Sequence, residues 1–237
     1  MRIFLSPNRI IFIPIIAEKA YARLLVGRIG YSGSRESCES MNLAELQELG
    51  YIAPIDTVPS ILEHGILSHK RAESLPHRTV AMQEIQDLRA KVVVPGGRAL
   101  HDYANLYICP RNPMLLRRRN MHAEICVLRV SVKVVVDLRN VVVTDSNAAS
   151  KYARFRPAPG GLAIVDQDRT FADWWTHDDQ VEQWRHQAQK CAEVLVPDFV
   201  PGAYVFGAYV SNEGSGKQLR QLAPRLAITV DAKMFFQ

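Results

Sequence analysis

The chain has 237 residues, of which 48% are hydrophobic and 22% charged, and its formal net charge is +5 at pH 7. This length suffices to bury one good core, and no apolar run approaches the roughly 20 residues of a membrane-spanning helix. The four cysteines are widely spaced and form no Cys-x-x-Cys pair, which argues against a zinc site or a disulfide scaffold and favours a reduced, cytoplasmic protein.

The first 40 residues differ in composition from the rest of the chain. The apolar run IIFIPIIA at positions 10–17 is interrupted by Pro14 and is too short to cross a bilayer. It is followed at positions 30–40 by the Gly/Ser-rich stretch GYSGSRESCES, which is typical of a linker. We therefore expect residues 1–40 to be a poorly packed N-terminal extension and residues 41–237 to form the functional domain.

The remaining sequence predicts short helices and strands in irregular succession. The predicted strands are Tyr51–Pro54, Asn105–Cys109, Glu124–Val130, Lys133–Val136, Val141–Val143, Ala192–Val196, Gly202–Val210 and Leu226–Val230. The predicted helices are Val58–His64, which Gly65 ends, Arg78–Lys91 and Asp178–Lys190. Because most strands follow one another without an intervening helix, the pattern favours an α+β domain with largely antiparallel sheets.

The segment Arg89–Leu115 is the most informative stretch of the chain. Its sequence, RAKVVVPGGRALHDYANLYICPRNPML, combines a helix end, a Pro-Gly-Gly turn, an aromatic strand and a polar exit from that strand. On local features alone, a glycine turn followed by a capped strand is an equally good interpretation. As a whole, however, the segment closely resembles the DarT family of NAD-dependent DNA ADP-ribosyltransferase toxins.

This resemblance implies a fold and a reaction. We expect an ADP-ribosyltransferase-like split pair of mainly antiparallel sheets with flanking helices, and NAD in the cleft between the sheets. The sequence contains neither GxGxxG nor GxxxxGK[ST], so NAD would not bind through either of those loops. NAD is the expected co-substrate, no metal is expected, and ADP-ribose would be transferred to a nucleobase in single-stranded DNA. A macrodomain antitoxin that reverses the modification is the partner implied by the family.

Glu193 is the leading candidate for the catalytic residue. It lies in QKCAEVLV, where a polar helix meets a strand, and the family carries its catalytic glutamate in a similar setting. Cleavage of the bond between nicotinamide and ribose develops oxocarbenium character, which a carboxylate stabilises more in the transition state than in the ground state. The same carboxylate can accept the proton of the attacking base. Without the resemblance, Glu193 would be interpreted as an ordinary strand-edge glutamate.

The opening strand supplies the predicted NAD contacts. Where the family shows a Tyr-His-x-Thr pattern, this chain has Gly50, Tyr51, Ile52 and Ala53. Tyr51 thus replaces the histidine and Ala53 the threonine, and we expect the Tyr51 side chain to lie across a groove from Glu193. Two further NAD-binding candidates are a small loop residue after this strand, Ser60, and the strand aromatic Tyr107, for which a core position is an equal alternative.

An arginine expected from the resemblance is missing. Family members carry a key arginine two positions upstream of Arg89, and this chain has Asp87 there. Arg89 is therefore the substitute candidate for the second catalytic residue. The basic residues of the KYARFR stretch, Lys151, Arg154 and Arg156, are the predicted nucleic-acid contacts, with Phe155, Trp174 and Trp175 available to stack on unpaired bases.

Two alternatives stay open at this point. The same chemistry on RNA or on a protein side chain fits the basic clusters and Glu193 equally well. A catalytically inactive nucleic-acid-binding relic of the fold would also explain why both the histidine and the arginine of the family are replaced.

Overall fold

A computed structural model of the protein describes residues 41–74 and 83–237, except for the side chains of Gln83 and Glu84. The expected N-terminal extension, residues 1–40, lies outside the described residues, as do the first five residues of the predicted helix Arg78–Lys91. The boundary between the extension and the domain therefore stays a prediction.

The described residues form short strands and short helices. The strands are β1 (Leu49–Pro54), β2 (Ile66–Leu67), β3 (Val93–Val94), β4 (Arg98–Ala99), β5 (Tyr103–Tyr107), β6 (Ile125–Val130), β7 (Val142–Thr144), β8 (Phe155–Pro157), β9 (Glu193–Pro197), β10 (Phe199–Val200), β11 (Val205–Val210) and β12 (Ala227–Val230). The helices are α1 (Val58–His64), α2 (His69–Ala72), α3 (Gln83–Arg89), α4 (Pro113–Leu116), α5 (Val134–Asp137), α6 (Gln167–Phe171), α7 (Gln180–Gln189) and α8 (Glu213–Leu222). Of the helices in this described part, none is long and apolar enough to cross a membrane.

The main sheet has eight strands in the order β12-β11-β6-β1-β5-β9-β7-β8. Its neighbouring strands run antiparallel, except for the edge pair β11–β12, which is parallel. Two small sheets, β2–β10 and β3–β4, are also antiparallel. The predicted α+β class with largely antiparallel sheets is thus confirmed.

The main sheet is divided in the middle, between β1 and β5. Strand β1 pairs with β6 along its full length, from Leu49 to Pro54, whereas its register with β5 contains only the pair Gly50–Tyr107. The expected split sheets are therefore present as two four-stranded halves that meet at this one pair. Beyond it, β1 and β5 share no further pair in the described part of the chain, and we infer a gap between them whose closed end is at Gly50 and Tyr107.

Alternation along the strands gives the sheet two buried faces. Leu49, Leu106, Leu128 and Val194 belong to the main core on one face. On the other face, one smaller cluster contains Ile52, Tyr107, Leu115, Ile125, Val127, Cys191 and Phe235, and another contains Val94, Leu100, Tyr103, Ala148 and Leu195. Because side chains alternate between faces, the register of β1 and β5 decides which of their residues can meet Glu193.

One predicted strand is wrong. The stretch Lys133–Val136 was expected to be extended because of its three valines, but α5 spans Val134–Asp137 as a single helical turn. The amide of Asp137 donates to the carbonyl of Lys133 at 2.8 Å, and Val134 and Val135 are buried in the main core. Periodicity does not distinguish a strand from a helical turn in so short an apolar run.

The pair that joins the two halves of the sheet requires a glycine. A Cβ atom at Gly50 would lie 2.6 Å from the Cβ of Pro110, which is closer than atoms approach without a shift of the backbone. Gly50→Ala is therefore expected to lower the free energy of unfolding by about 1–3 kcal/mol, as overpacking does in other cores. Urea denaturation followed by tryptophan fluorescence measures this change.

Gly160→Ala is the matched control for that variant. A Cβ atom at Gly160 would meet nothing within 4 Å, so its stability should change little. Equal stability of Gly50→Ala and the wild type would show that the two strands do not need this close approach.

Candidate active site

Glu193 is the first residue of β9 and is completely buried. The chain reaches it from α7, whose first turn is capped by the Asp179 side chain accepting from the amide of Glu182. Across the sheet, Glu193 is paired in register with Tyr107 of β5. Since Tyr107 is also the residue that joins β5 to β1, Glu193 lies beside the closed end of the gap between the two halves.

Arg89 pairs with Glu193 through two guanidinium nitrogens. Its Nη1 donates to Oε1 and Oε2, and its Nη2 to Oε2, each at 3.2 Å. Burial acts to lower the pKa of Arg89, but the charge and hydrogen bonds of Glu193 outweigh it and the pKa is raised. The amide of Ala148 adds a fourth hydrogen bond, to Oε1 at 3.2 Å. These four contacts use the acceptor sites that a carboxylate offers.

Arg89 is positioned by the start of the segment Arg89–Leu115, which carries the family resemblance. It is the last residue of α3, and the amide of Val92 turns back to its carbonyl at 3.1 Å. The hairpin β3–β4 follows, with Gly96 and Gly97 in its turn at φ angles of 111° and 93°. The predicted Pro-Gly-Gly turn is confirmed, and it fixes where α3 ends relative to β5.

Two groups that hold Glu193 were not found from the sequence. The amide of Glu193 donates to Oγ1 of Thr144 at 3.1 Å, and that hydroxyl in turn donates to the carbonyl of Ser146 at 2.6 Å. This link sets the loop after β7 so that the amide of Ala148 faces the carboxylate. Both groups lie in the stretch TDSNAAS, residues 144–150. Its short polar residues are typical of a turn, but they do not indicate that the turn contacts Glu193.

Tyr107 lies next to the carboxylate and is buried. Burial raises its pKa, and the charges of Glu193 and Cys191 raise it further. Tyr107 is therefore a neutral phenol across the physiological pH range, which keeps a second negative charge away from Glu193. Its membership of the Ile52 cluster makes it part of a small core as well as a neighbour of the site.

The structure does not bring the Tyr51 side chain to Glu193, so the expectation that they face each other is wrong. Tyr51 pairs with Leu128 and packs against the main core, where burial raises its pKa. Ala53 also belongs to the main core. Of the three predicted residues on β1, only Ile52 shares the face of Tyr107. The physical reason is the period of two along a strand, which the family pattern alone did not locate on a face.

The other predicted residues are not among the groups that hydrogen-bond the Glu193 carboxylate. Ser60 is exposed and lies inside α1 rather than in a loop. Arg154 is in an ion pair with Asp145, with 2.6 Å between Nε and Oδ2, and also donates to the carbonyl of Ile164. Lys151 and Arg156 are exposed. Among the described residues, no group of three or more His, Cys, Asp or Glu side chains is arranged to hold a metal ion.

Comparison with known proteins identifies the family. Residues 51–236 match the family model described as ssDNA thymidine ADP-ribosyltransferase, DarT. A protein of Thermosipho africanus named "DNA ADP-ribosyl transferase-DNA ADP-ribosyl glycohydrolase fusion protein" is 32% identical over 203 residues, which are 80% of this chain and 50% of that protein. The chain thus spans half the length of this relative.

Solved structures of Thermus sp. 2.9 DarT are similar in fold. Its complex with ADP-ribosylated ssDNA superposes with a TM-score of 0.69 at 27% identity, covering 83% of this chain and 100% of that one. Its complex with carba-NAD+ gives a TM-score of 0.67 at 25% identity, covering 81% and 98%.

The buried ion pair should dominate the local stability of the site. Arg89→Met and Glu193→Leu each leave one buried charge without its partner, so each should lower the free energy of unfolding by about 3–5 kcal/mol. The double variant removes both charges and should lose less than the sum of the single losses. Urea unfolding of the four proteins measures the coupling. Strictly additive losses would show that the two side chains do not interact in solution.

Proposed function

The chain belongs to the DarT family, and from that membership we propose that it is an NAD-dependent ADP-ribosyltransferase acting on single-stranded DNA. It cleaves NAD and transfers ADP-ribose to a nucleobase, with thymine expected from the description of the family model. The observation that carries this proposal is the placement of Glu193. It is a buried carboxylate at the closed end of the gap between the two halves of the sheet.

Glu193 supplies the electrostatics of the reaction. Its negative charge faces the positive charge that develops on the ribose as nicotinamide leaves, and a charge fixed in a buried site stabilises that state without reorganisation. The main-chain amide of Glu193 donates to the Thr144 hydroxyl, and the amide of Ala148 donates to the Glu193 side chain, so the carboxylate is held in place. The same carboxylate accepts the proton lost by the attacking base.

Arg89 covers the carboxylate at rest and has to move before the ribose can reach it. With four hydrogen bonds made and no surface exposed, Glu193 has no acceptor site left for a ribose hydroxyl. Arg89 is joined to the carboxylate only by its side chain, so rotation about its own bonds frees Glu193. The released guanidinium then stabilises the negative charge that develops on the attacked base, and in this way Arg89 substitutes for the family arginine at the position of Asp87.

The diverging edge of β1 seats the NAD. Beyond Gly50, strand β1 loses β5 as a neighbour, and its register with β5 contains no further pair in the described part of the chain. Main-chain groups of successive residues alternate between the two neighbours of a strand, so those along Tyr51, Ile52 and Ala53 that point away from β6 line this gap, even though the Tyr51 and Ala53 side chains point into the main core. Main-chain donors and acceptors left by a departing strand are available to a ligand. Tyr107, at the closed end, borders the nicotinamide.

A macrodomain partner that removes the modification follows from the same reasoning. The Thermosipho africanus relative carries a DNA ADP-ribosyl glycohydrolase in the same chain, and this chain spans half of that protein. We therefore expect a separate or fused glycohydrolase to act as the antitoxin to this toxin. Because single-stranded DNA is the proposed acceptor, we expect the protein to act in the cytoplasm.

Glu193→Gln and Glu193→Ala should reduce transfer to DNA by at least about 100-fold, because both remove the charge that opposes the transition state. Labelled NAD is incubated separately with DNA, RNA and protein pools, and the label retained by each pool is counted. Glu63→Gln, an exposed glutamate on α1, is the control and should retain full activity.

The pools also separate the alternatives. Label on RNA or protein alone would replace DNA as the acceptor. Absence of both label transfer and NAD binding by calorimetry in the wild type would establish the inactive relic and overturn the proposal.

Arg89→Ala should separate NAD cleavage from transfer. Without the guanidinium, Glu193 is uncovered, so the KM for NAD should not rise, whereas transfer to DNA should fall by roughly 10²–10³-fold through loss of one charge-stabilising donor. Nicotinamide release and label on an oligonucleotide are measured side by side, below the melting temperature of the variant. Arg89→Lys keeps the positive charge, so its rate of transfer to DNA should lie between those of the wild type and Arg89→Ala. An equal loss of cleavage and transfer in Arg89→Ala would contradict the proposal that Arg89 first covers Glu193 and then moves to the attacked base.

A further inference from the structure

An exposed tryptophan lies on a rigid support close to the site. Trp174 is 72% exposed, whereas the adjacent Trp175 is 7% exposed and meets the ring of Phe236 edge-on, with 5.9 Å between centroids. Tryptophan is usually well buried because of its large apolar surface. Trp175 is therefore a core residue, and Trp174 is the member of the pair that has no core role. We name Arg111, Asp173, Trp174, Lys233 and Phe236 the aromatic platform.

Arg111 holds this platform together. Its Nη1 donates to the carbonyl of Asp173 at 2.7 Å and its Nε to the carbonyl of Lys233 at 3.1 Å. Its guanidinium carbon lies 4.4 Å from the centroid of the Phe236 ring and 5.8 Å from that of Trp174. The loop that carries Trp174 and the C-terminal segment are thus fixed by one side chain, so the indole is presented at low entropic cost.

The charge of the platform is positive. Arg111 and Lys233 share a single carboxylate, that of Asp173, at 3.7 Å and 3.2 Å. One cationic charge of this cluster is therefore in excess beside an exposed aromatic face. Aromatic faces next to cations are the arrangement on which proteins stack unpaired bases while neutralising the phosphates between them.

Two short connections lead from the platform to Glu193. Lys190, three residues before Glu193 and buried, donates through Nζ to the carbonyls of Thr170 and Ala172 at 2.8 Å each. This anchors the segment just before Trp174. Arg111 itself lies four residues after Tyr107, the partner of Glu193 in the sheet. Both connections begin within four residues of the Tyr107–Glu193 pair, so the platform lies towards the end of β5 and the start of β9, where the carboxylate is placed.

We propose that Trp174 stacks on an unpaired base next to the target nucleotide in the DNA acceptor. This inference rests on the proposed function, because it assigns part of the acceptor strand to a surface outside the gap that seats the NAD. The indole takes the base, and the excess charge of Arg111 and Lys233 faces the adjoining phosphate. Stacking is indifferent to base identity, so the platform orients the strand and leaves the choice of target base to the site.

The test uses the full chain and a fluorescently labelled single-stranded oligonucleotide, with binding measured by anisotropy in the absence of NAD. Trp174→Ala should weaken binding by roughly 5- to 150-fold, which corresponds to the ~1–3 kcal/mol of one stacked base. Trp174→Phe keeps a stacking face and should stay close to the wild type. Phe206→Ala removes an exposed aromatic from β11, in the other half of the sheet, and should have no effect.

Abasic substitution locates the stacked base. A series of oligonucleotides is used, each of which lacks the base at one position. At one position, loss of the base should weaken binding to the wild type but should leave binding to Trp174→Ala unchanged. Nicotinamide release without DNA should be the same in both proteins, because the NAD site is unchanged.

The outcomes separate this proposal from the one on which it rests. If the wild type modifies DNA and Trp174→Ala binds the strand equally well, or its defect follows no single position, the platform is overturned and the transferase stands. If the wild type neither binds nor modifies single-stranded DNA, both are overturned. A position-specific defect without any modification supports the platform and rejects the transferase.

Discussion

The site depends on one buried ion pair, between Arg89 and Glu193. Each ion loses its hydration on burial, and the attraction between them offsets that cost only if the geometry is good and the remaining polar atoms are satisfied. Here the guanidinium contacts both carboxylate oxygens, and the amide of Ala148 fills the remaining acceptor site. The end of α3, the start of β9 and the loop after β7 are consequently fixed relative to one another. Apolar side chains of similar volume would stabilise this position as well as the ion pair or better. The buried ion pair therefore indicates a functional site rather than a part of the core.

The proposed reaction depends on the fold as well as on the residues matched to the family. The split of the sheet puts the Tyr107–Glu193 pair at the closed end of a gap, and the smaller clusters on that face keep water from the carboxylate. Tyr51 takes no part through its side chain, because it packs on the opposite face. A mechanism that relied on its hydroxyl would fail on this geometry. Glu193, Arg89 and the family match do not depend on it.

Much of this arrangement can be predicted from the sequence, and its limits are physical. Local patterns predicted β1, β6, β9 and α7 closely, because the residues that form each of these elements are neighbours in the sequence. Resemblance supplied Glu193 as the candidate catalytic residue, and that role stays a prediction. The partnership of Arg89 with Glu193 spans 104 positions and depends on where α3 ends, which no local pattern encodes. The face of Tyr51 follows from the register of β1, and the helical turn α5 from its packing in the main core. In each of these cases, contacts between residues far apart in the sequence determine the result, so the local sequence pattern did not predict it.

The narrow contact between β1 and β5 also has a mechanical consequence. The two four-stranded halves share one residue pair at this seam, whereas the neighbouring strand pairs β1–β6 and β5–β9 share six and five. A relative movement of the two halves would therefore break the fewest backbone hydrogen bonds at the seam, with Gly50 and Tyr107 at its axis. Because Glu193 is paired with Tyr107, the carboxylate lies close to that axis and would shift little if the halves moved.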